Sequence, residues 1–85
     1  MVTIFGASSC AGCKQLKTLA AAKNIDFEYR LIDEDVEAYQ DFVEVMGRGR
    51  ANMPVCVAKS EEGGLKITEG MNAGVALITE LQELN

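Results

Sequence analysis

Cys10 and Cys13 stand three residues apart, between a short apolar run, Val2 to Phe5, and a longer helix-forming run from Ala11 to Lys23. This placement constrains the fold more than any other part of the chain, because a buried strand must deliver the first cysteine to the mouth of a helix. Residues i and i+3 of a helix hold their Cβ atoms roughly 5–6 Å apart, close enough to bridge after a small shift. A Cys-x-x-Cys pair in this setting points to thiol–disulfide exchange, in which one sulfur attacks a disulfide and the other resolves the mixed disulfide. The competing use of such a pair is half of a metal site. Zinc normally needs four ligands, and the chain offers only Cys10, Cys13 and a remote Cys56, with no histidine.

The absence of histidine also removes Cys–His and Ser–His nucleophile pairs and the HExxH metal motif. A reactive Cys10 must therefore be activated by something other than imidazole. Orphan backbone N–H groups and the helix dipole favour negative charge at the helix mouth, which lowers a thiol from about 8.5 toward or below neutrality. Lys14 and Lys17 either add to that field or are solvated helix charge. Cys13, one turn further in, is the resolving thiol.

The chain has 85 residues, enough for one domain over 1–85 that buries roughly 60–65% of its unfolded surface. Its 48% apolar content supplies one modest core. Three cysteines are too few to staple a secreted mini-protein. Met1 to Phe5 has neither the basic nor the long apolar segment of a signal peptide, and no run approaches the roughly 18 apolar residues of a membrane span. A cytoplasmic protein with reduced thiols and no membrane partner is expected. The net charge of −5 disfavours nucleic acid. Eight of the thirteen acids lie between Asp26 and Glu44, opposed there only by Arg30, and Asp33-Glu34-Asp35 is read as a solvated face.

Periodicity predicts the remaining elements. Val2–Phe5 is a buried strand, and Ser8 or Ser9 caps a helix that Asn24 stops. Phe27, Tyr29 and Leu31 alternate with Glu28 and Arg30 in a half-buried strand. Asp33 or Asp35 caps a second helix with an apolar stripe of Val36, Tyr39, Val43 and Met46, Phe42 beside it, and Gly47 at C′. A loop over Gly47–Asn52 leads to a strand at Val55–Ala58, a turn over Glu61–Gly64 and a partner strand marked by Leu65 and Ile67. Asn72 caps a last helix whose Leu77, Ile78, Leu81 and Leu84 face inward. The order βαβ, α, ββα implies a parallel pair with a right-handed crossover, then a hairpin, in a small mixed sheet with helices on both faces.

This order, with Cys-x-x-Cys opening the first helix, resembles the glutaredoxin branch of the thioredoxin fold over nearly the whole chain. Ile4-Phe5-Gly6-Ala7-Ser8-Ser9-Cys10-Ala11-Gly12-Cys13 looks like the approach to that family's active site. Gly47-Arg48 with Asn52-Met53-Pro54 looks like its glycine, basic residue and Thr-Val-Pro. Gly70-Met71-Asn72 sits where the family has a Gly-containing turn before its final helix. The departures are Ala11-Gly12 in place of Pro-aromatic, Ala7 in place of a basic residue, and Glu69-Gly70 in place of Gly-Gly.

The resemblance implies a thioredoxin-like α/β fold, βαβαββα with a four-stranded mixed sheet, and a monomeric dithiol oxidoreductase without a tightly bound cofactor. It implies glutathione as co-substrate. A similarly short sister group is instead reduced by thioredoxin reductase and serves ribonucleotide reductase, so both donors, and that enzyme among disulfide-containing protein targets, are open. The Met53–Pro54 bond is expected to be cis, facing Cys10, with the Met53 backbone pairing to an incoming peptide. Arg48 and Arg50 suit a substrate carboxylate, or form a solvated loop. Gly70, Met71 and Asn72 suit the other end of a glutathione-like tripeptide. Some glutaredoxins carry an iron–sulfur cluster on the first cysteine, which leaves a carrier built on Cys10 as an alternative, beside a non-catalytic binding module. Cys56 reads as a small buried hydrophobe, and Tyr39 and Met71 as packing residues.

Overall fold

Side chains alternate across a strand, and in the first strand this divides the protein into two cores. Val2 and Ile4 enter one with Leu16, Ala20 and Ile78, while Phe5 enters the other with Phe42 and Val55. The computed structural model describes residues 1–60 and 63–84. The elements are β1 (Val2–Gly6), α1 (Ala11–Ala22), β2 (Phe27–Leu31), α2 (Val36–Met46), β3 (Val55–Lys59), β4 (Leu65–Glu69) and α3 (Met71–Leu84). The sheet order is β2-β1-β3-β4. β1 runs parallel to β2, from Val2 opposite Phe27 to Gly6 opposite Leu31. It runs antiparallel to β3, with Phe5 opposite Val55, and β3 and β4 form an antiparallel pair. α1 and α3 pack together on one face and α2 covers the other, which is the mixed α/β architecture expected from the sequence.

The helix ends follow local chemistry, with two corrections. α1 ends where Asn24 turns left-handed at φ 57°, as expected. Its N-cap is Cys10 rather than Ser8 or Ser9, because the Cys10 sulfur accepts the Cys13 N–H. Asp35 caps α2 by accepting from the N–H groups of Glu37 and Ala38, and Gly47 closes it at φ 72°. Asn72 is the second residue of α3 and not its cap. Gly70, whose carbonyl accepts the Gly74 N–H at 3.0 Å, precedes the helix.

The buried face of α2 is also rotated from the predicted stripe. Ala38 and Phe42, four apart on one face, are fully buried. Val36 is 72% and Tyr39 41% exposed, because the helix turns about Phe42, which meets Phe5 edge-on at 5.7 Å. On this face α2 packs over β2, Phe5 of β1 and Val55 of β3 and leaves β4 uncovered, so Leu65 and Ile67 are exposed. In α3, Leu77 and Ile78 are buried and Leu81 packs against the core. The Leu84 side chain, and the part of the predicted turn on Glu61 and Glu62, lie outside the described residues.

Candidate active site

β1 ends at Gly6, and after three intervening residues the chain reaches Cys10 in extended conformation (φ −91°, ψ 104°). Cys10 N–H donates to the Ala7 carbonyl at 3.1 Å, and the Cys10 carbonyl accepts the Lys14 N–H at 3.3 Å. The Cys10 sulfur itself accepts the Cys13 N–H at 3.1 Å. A sulfur that caps a helix in this way is stabilised as an anion by the orphan donors of the first turn. Cys10 is half-buried and Cys13 fully buried, and the two are joined as a disulfide with Cα atoms 5.3 Å apart. The arrangement presents one sulfur to solvent and holds its partner behind it. The Lys17 ammonium lies over the Tyr29 ring, 5.1 Å from its centre.

Ser8, freed from capping, holds the loop in place by another route. Its N–H donates to both carboxylate oxygens of Asp33 at 3.1 Å, and its hydroxyl donates to Asp33 Oδ2 at 2.5 Å. These bonds, led by the hydroxyl, hold the Asp33 carboxyl below the usual carboxylate range. A carboxyl lowered in the folded state contributes stability above its unfolded value of about 3.9, and that contribution is lost as pH falls through the folded value. Asp33→Ala is therefore expected to lower the urea midpoint and to speed amide exchange at Ser8 near neutral pH. The difference from wild type should shrink steadily below about pH 3.9; a difference independent of pH would refute the clasp.

The Met53–Pro54 bond is cis, as the resemblance implies, and Pro54 is buried immediately before β3. Gly70 ties this segment to α3, its N–H shared between the carbonyls of Asn52 (2.9 Å) and Pro54 (3.0 Å). The positive φ of Gly70, 88°, is why a glycine stands there. Met71 follows, and its sulfur reaches the Cys-x-x-Cys turn: a side-chain carbon on Gly12 would lie 3.7 Å from it. Arg48, Arg50, Asn52 and Glu69 line an open groove of about 490 Å³. Within it Arg48 is already paired with the Glu69 carboxylate, whereas Arg50 has no ion pair among the described residues. Asn72 is exposed in the first turn of α3. Among the described residues no three His, Cys, Asp or Glu side chains converge to hold a metal.

The glutaredoxin family profile matches residues 2–62, from β1 to beyond β3. The chain belongs to the glutaredoxin family. Among solved structures this glutaredoxin is similar to the glutaredoxin-like NrdH-redoxin of Escherichia coli, with 22% identity over 94% of this chain and 92% of that one and a TM-score of 0.68. It is also similar to a glutaredoxin of Brucella melitensis, 25% identical over 98% of this chain and 85% of that one (TM-score 0.63). A third is glutaredoxin grx-1 of Archaeoglobus fulgidus, 27% identical over 98% and 83% (TM-score 0.61). No curated protein matches the chain. The fold is thioredoxin-like in all of these respects.

Three features of this glutaredoxin escape sequence reasoning. The Ser8–Asp33 clasp needs the parallel register: with Gly6 opposite Leu31, the residues two beyond each meet. The Arg48–Glu69 pair joins a loop to a strand and has no signal in local spacing. Tyr29 reads as one apolar position of an alternating strand, yet its hydroxyl reaches the space beside Cys13. Cys56 behaves as expected: it is fully buried, and burial pushes its thiol up, with the Thr68 hydroxyl opposite acting the other way.

Proposed function

We propose that the protein is a dithiol oxidoreductase that reduces protein disulfides, with Cys10 as nucleophile and Cys13 as resolving thiol. The observation that carries this reading is the half-buried Cys10 sulfur capping α1, with Cys13 bonded behind it. The Cys10 thiolate attacks one sulfur of a substrate disulfide, forming a mixed disulfide and releasing the other sulfur as a thiolate that takes a proton. Cys13 then loses its proton and attacks the Cys10 sulfur. The Cys10–Cys13 bond forms, the mixed disulfide breaks, and the second substrate thiolate leaves. Two electrons pass to the substrate, and a reductase returns the cysteines to thiols. Met53, Pro54, Gly70, Met71 and Asn72 are read as the segment that receives the substrate peptide, a reading supported by the Met71 sulfur lying beside Gly12 of the Cys-x-x-Cys turn. The reaction needs no tightly bound cofactor. The reading carries a monomeric single domain, 1–85, acting in the cytoplasm. No helix among the described residues is long and apolar enough to cross a membrane.

For the electron donor we favour thioredoxin reductase over glutathione. Arg48, the side chain suited to a glutathione carboxylate, is engaged by the chain's own Glu69. The Escherichia coli protein of similar fold is described as having a thioredoxin-like activity profile, which agrees with this choice. Ribonucleotide reductase is then one candidate target. Turnover of a model disulfide, supported either by thioredoxin reductase or by glutathione with its reductase, tests the assignment. Wild type is expected to turn over faster with thioredoxin reductase. Glu69→Gln should raise the glutathione-supported rate several-fold, within the fivefold set by a half-exposed ion pair of about 1 kcal/mol. Faster wild-type turnover with glutathione would reverse the donor assignment.

A further inference from the structure

The hydroxyl of Tyr29 is buried and hydrogen-bonded to none of the described residues. Folded proteins leave few such groups, because an unpartnered buried hydroxyl is unfavourable. Its position is specific. A side-chain carbon on Gly6 would lie 2.9 Å from the Tyr29 oxygen and 3.0 Å from Cys13 Cβ. Gly6 has no such carbon, so the hydroxyl and the Cys13 side chain face one another across that point. Cys13 is fully buried and is held in the disulfide. A disulfide sulfur is a poor acceptor, whereas the thiolate that forms when the bond opens is a strong one.

We propose that, once the disulfide is reduced, the Tyr29 hydroxyl donates a hydrogen bond to the Cys13 sulfur and stabilises it as the resolving thiolate. This rests on the oxidoreductase reading and adds a residue to it. Tyr29 keeps its proton throughout. Cys13 gives its own proton to the departing substrate thiolate or to water, the Cys10–Cys13 bond forms, and the Tyr29 hydroxyl loses its acceptor. The bond is thus made in the reduced protein and absent in the oxidised one.

The surroundings keep the hydroxyl a donor. Burial first, and then the Asp33 charge from the loop after β2, raise the Tyr29 hydroxyl above its ordinary value. The Lys17 ammonium of α1 lies over the ring, and Lys14 and Glu34 line the same cavity of about 450 Å³. These are the charged groups that face Tyr29 from the elements around it, and Tyr39, on α2 against Phe42, lies on the opposite face of the sheet.

Tyr29→Phe removes the oxygen and little else. The Cys10–Cys13 couple is equilibrated with thiol–disulfide buffers, and its disulfide should become about tenfold more favourable than in wild type, a potential ~30 mV more negative. In a Cys10→Ser background, the Cys13 ¹³Cβ titration should move to higher pH when Tyr29→Phe is added. An unchanged equilibrium and an unchanged titration overturn the proposal. The oxidised variant should unfold in urea no earlier than wild type, since it loses only an unpartnered group. If the variant does not fold, wild type decides: the Tyr29 ¹³Cζ resonance should shift between redox forms well beyond that of Tyr39, and equal shifts overturn the proposal. A wild-type pair that never equilibrates with the buffers overturns the oxidoreductase reading itself, and the wild-type control tells that failure apart.

Discussion

Cys10→Ser is expected to abolish disulfide exchange, with turnover falling about a thousandfold or more. The fold places one sulfur within reach of solvent and gives it the first-turn donor of α1. A serine oxygen at the same cap accepts the same N–H, and serine is a preferred cap residue, so stability should be kept. Only the nucleophile is lost, because a hydroxyl without a neighbouring base does not ionise near neutrality, and the chain has no histidine to supply one. Cys13→Ser should behave differently. The first attack survives, resolution fails, and the mixed disulfide on Cys10 accumulates as an added mass. A Cys10→Ser protein with full disulfide reductase activity would end the proposed mechanism.

Phe42→Ala is expected to destabilise the fold by about 3–5 kcal/mol, read as a lowered urea midpoint. For a domain whose whole stability is roughly 5–15 kcal/mol, that is a large fraction. The reason is how little holds α2. Its fully buried side chains are Ala38 and Phe42, and Phe42 is the one that joins the buried cluster of Phe5 and Val55, with Val43 and Met46 only partly buried beside it. The loop that carries Arg48 and Arg50 follows directly from α2, so loosening the helix also loosens the arginine groove. The cysteines lie beyond the other face of the sheet, on α1. Disulfide exchange per folded molecule should therefore decline less than any property that depends on Arg48. A loss below about 1 kcal/mol would mean that α2 is held by contacts other than this ring.

The sequence makes the order of elements legible because each is marked by a local rule: alternation in β2, an Asp cap and a C-terminal Gly on α2, and a helix-forming run after Cys10. It also brings Cys10 and Cys13 together, since three residues on a helix fix their separation. What it misses depends on phase and on distance along the chain. The stripe on α2 is misplaced because Val36 and Tyr39 are apolar enough to read as core, while the partner that decides the phase, Phe5, comes from β1. The cap of α1 is assigned to a serine because oxygen is the usual acceptor, yet the cysteine sulfur takes that role and releases Ser8 to Asp33. The Arg48–Glu69 pair and the approach of Tyr29 to Cys13 cross between elements, where no periodicity reports. Arg48 and Arg50 look equivalent in sequence, and only the position of β4 separates them.

The sealed position of Cys56 has a consequence for handling the protein under oxidising conditions. While the core is intact, air has a single pair of sulfurs to join, and any oxidised population is chemically uniform. Heat or denaturant would release a third thiol into the same solution, and three thiols can pair in three ways within one chain or between chains. Denaturation in the presence of oxygen should thus leave a heterogeneous mixture, whereas the same cycle under reductant, or with Cys56→Ala, should return one species.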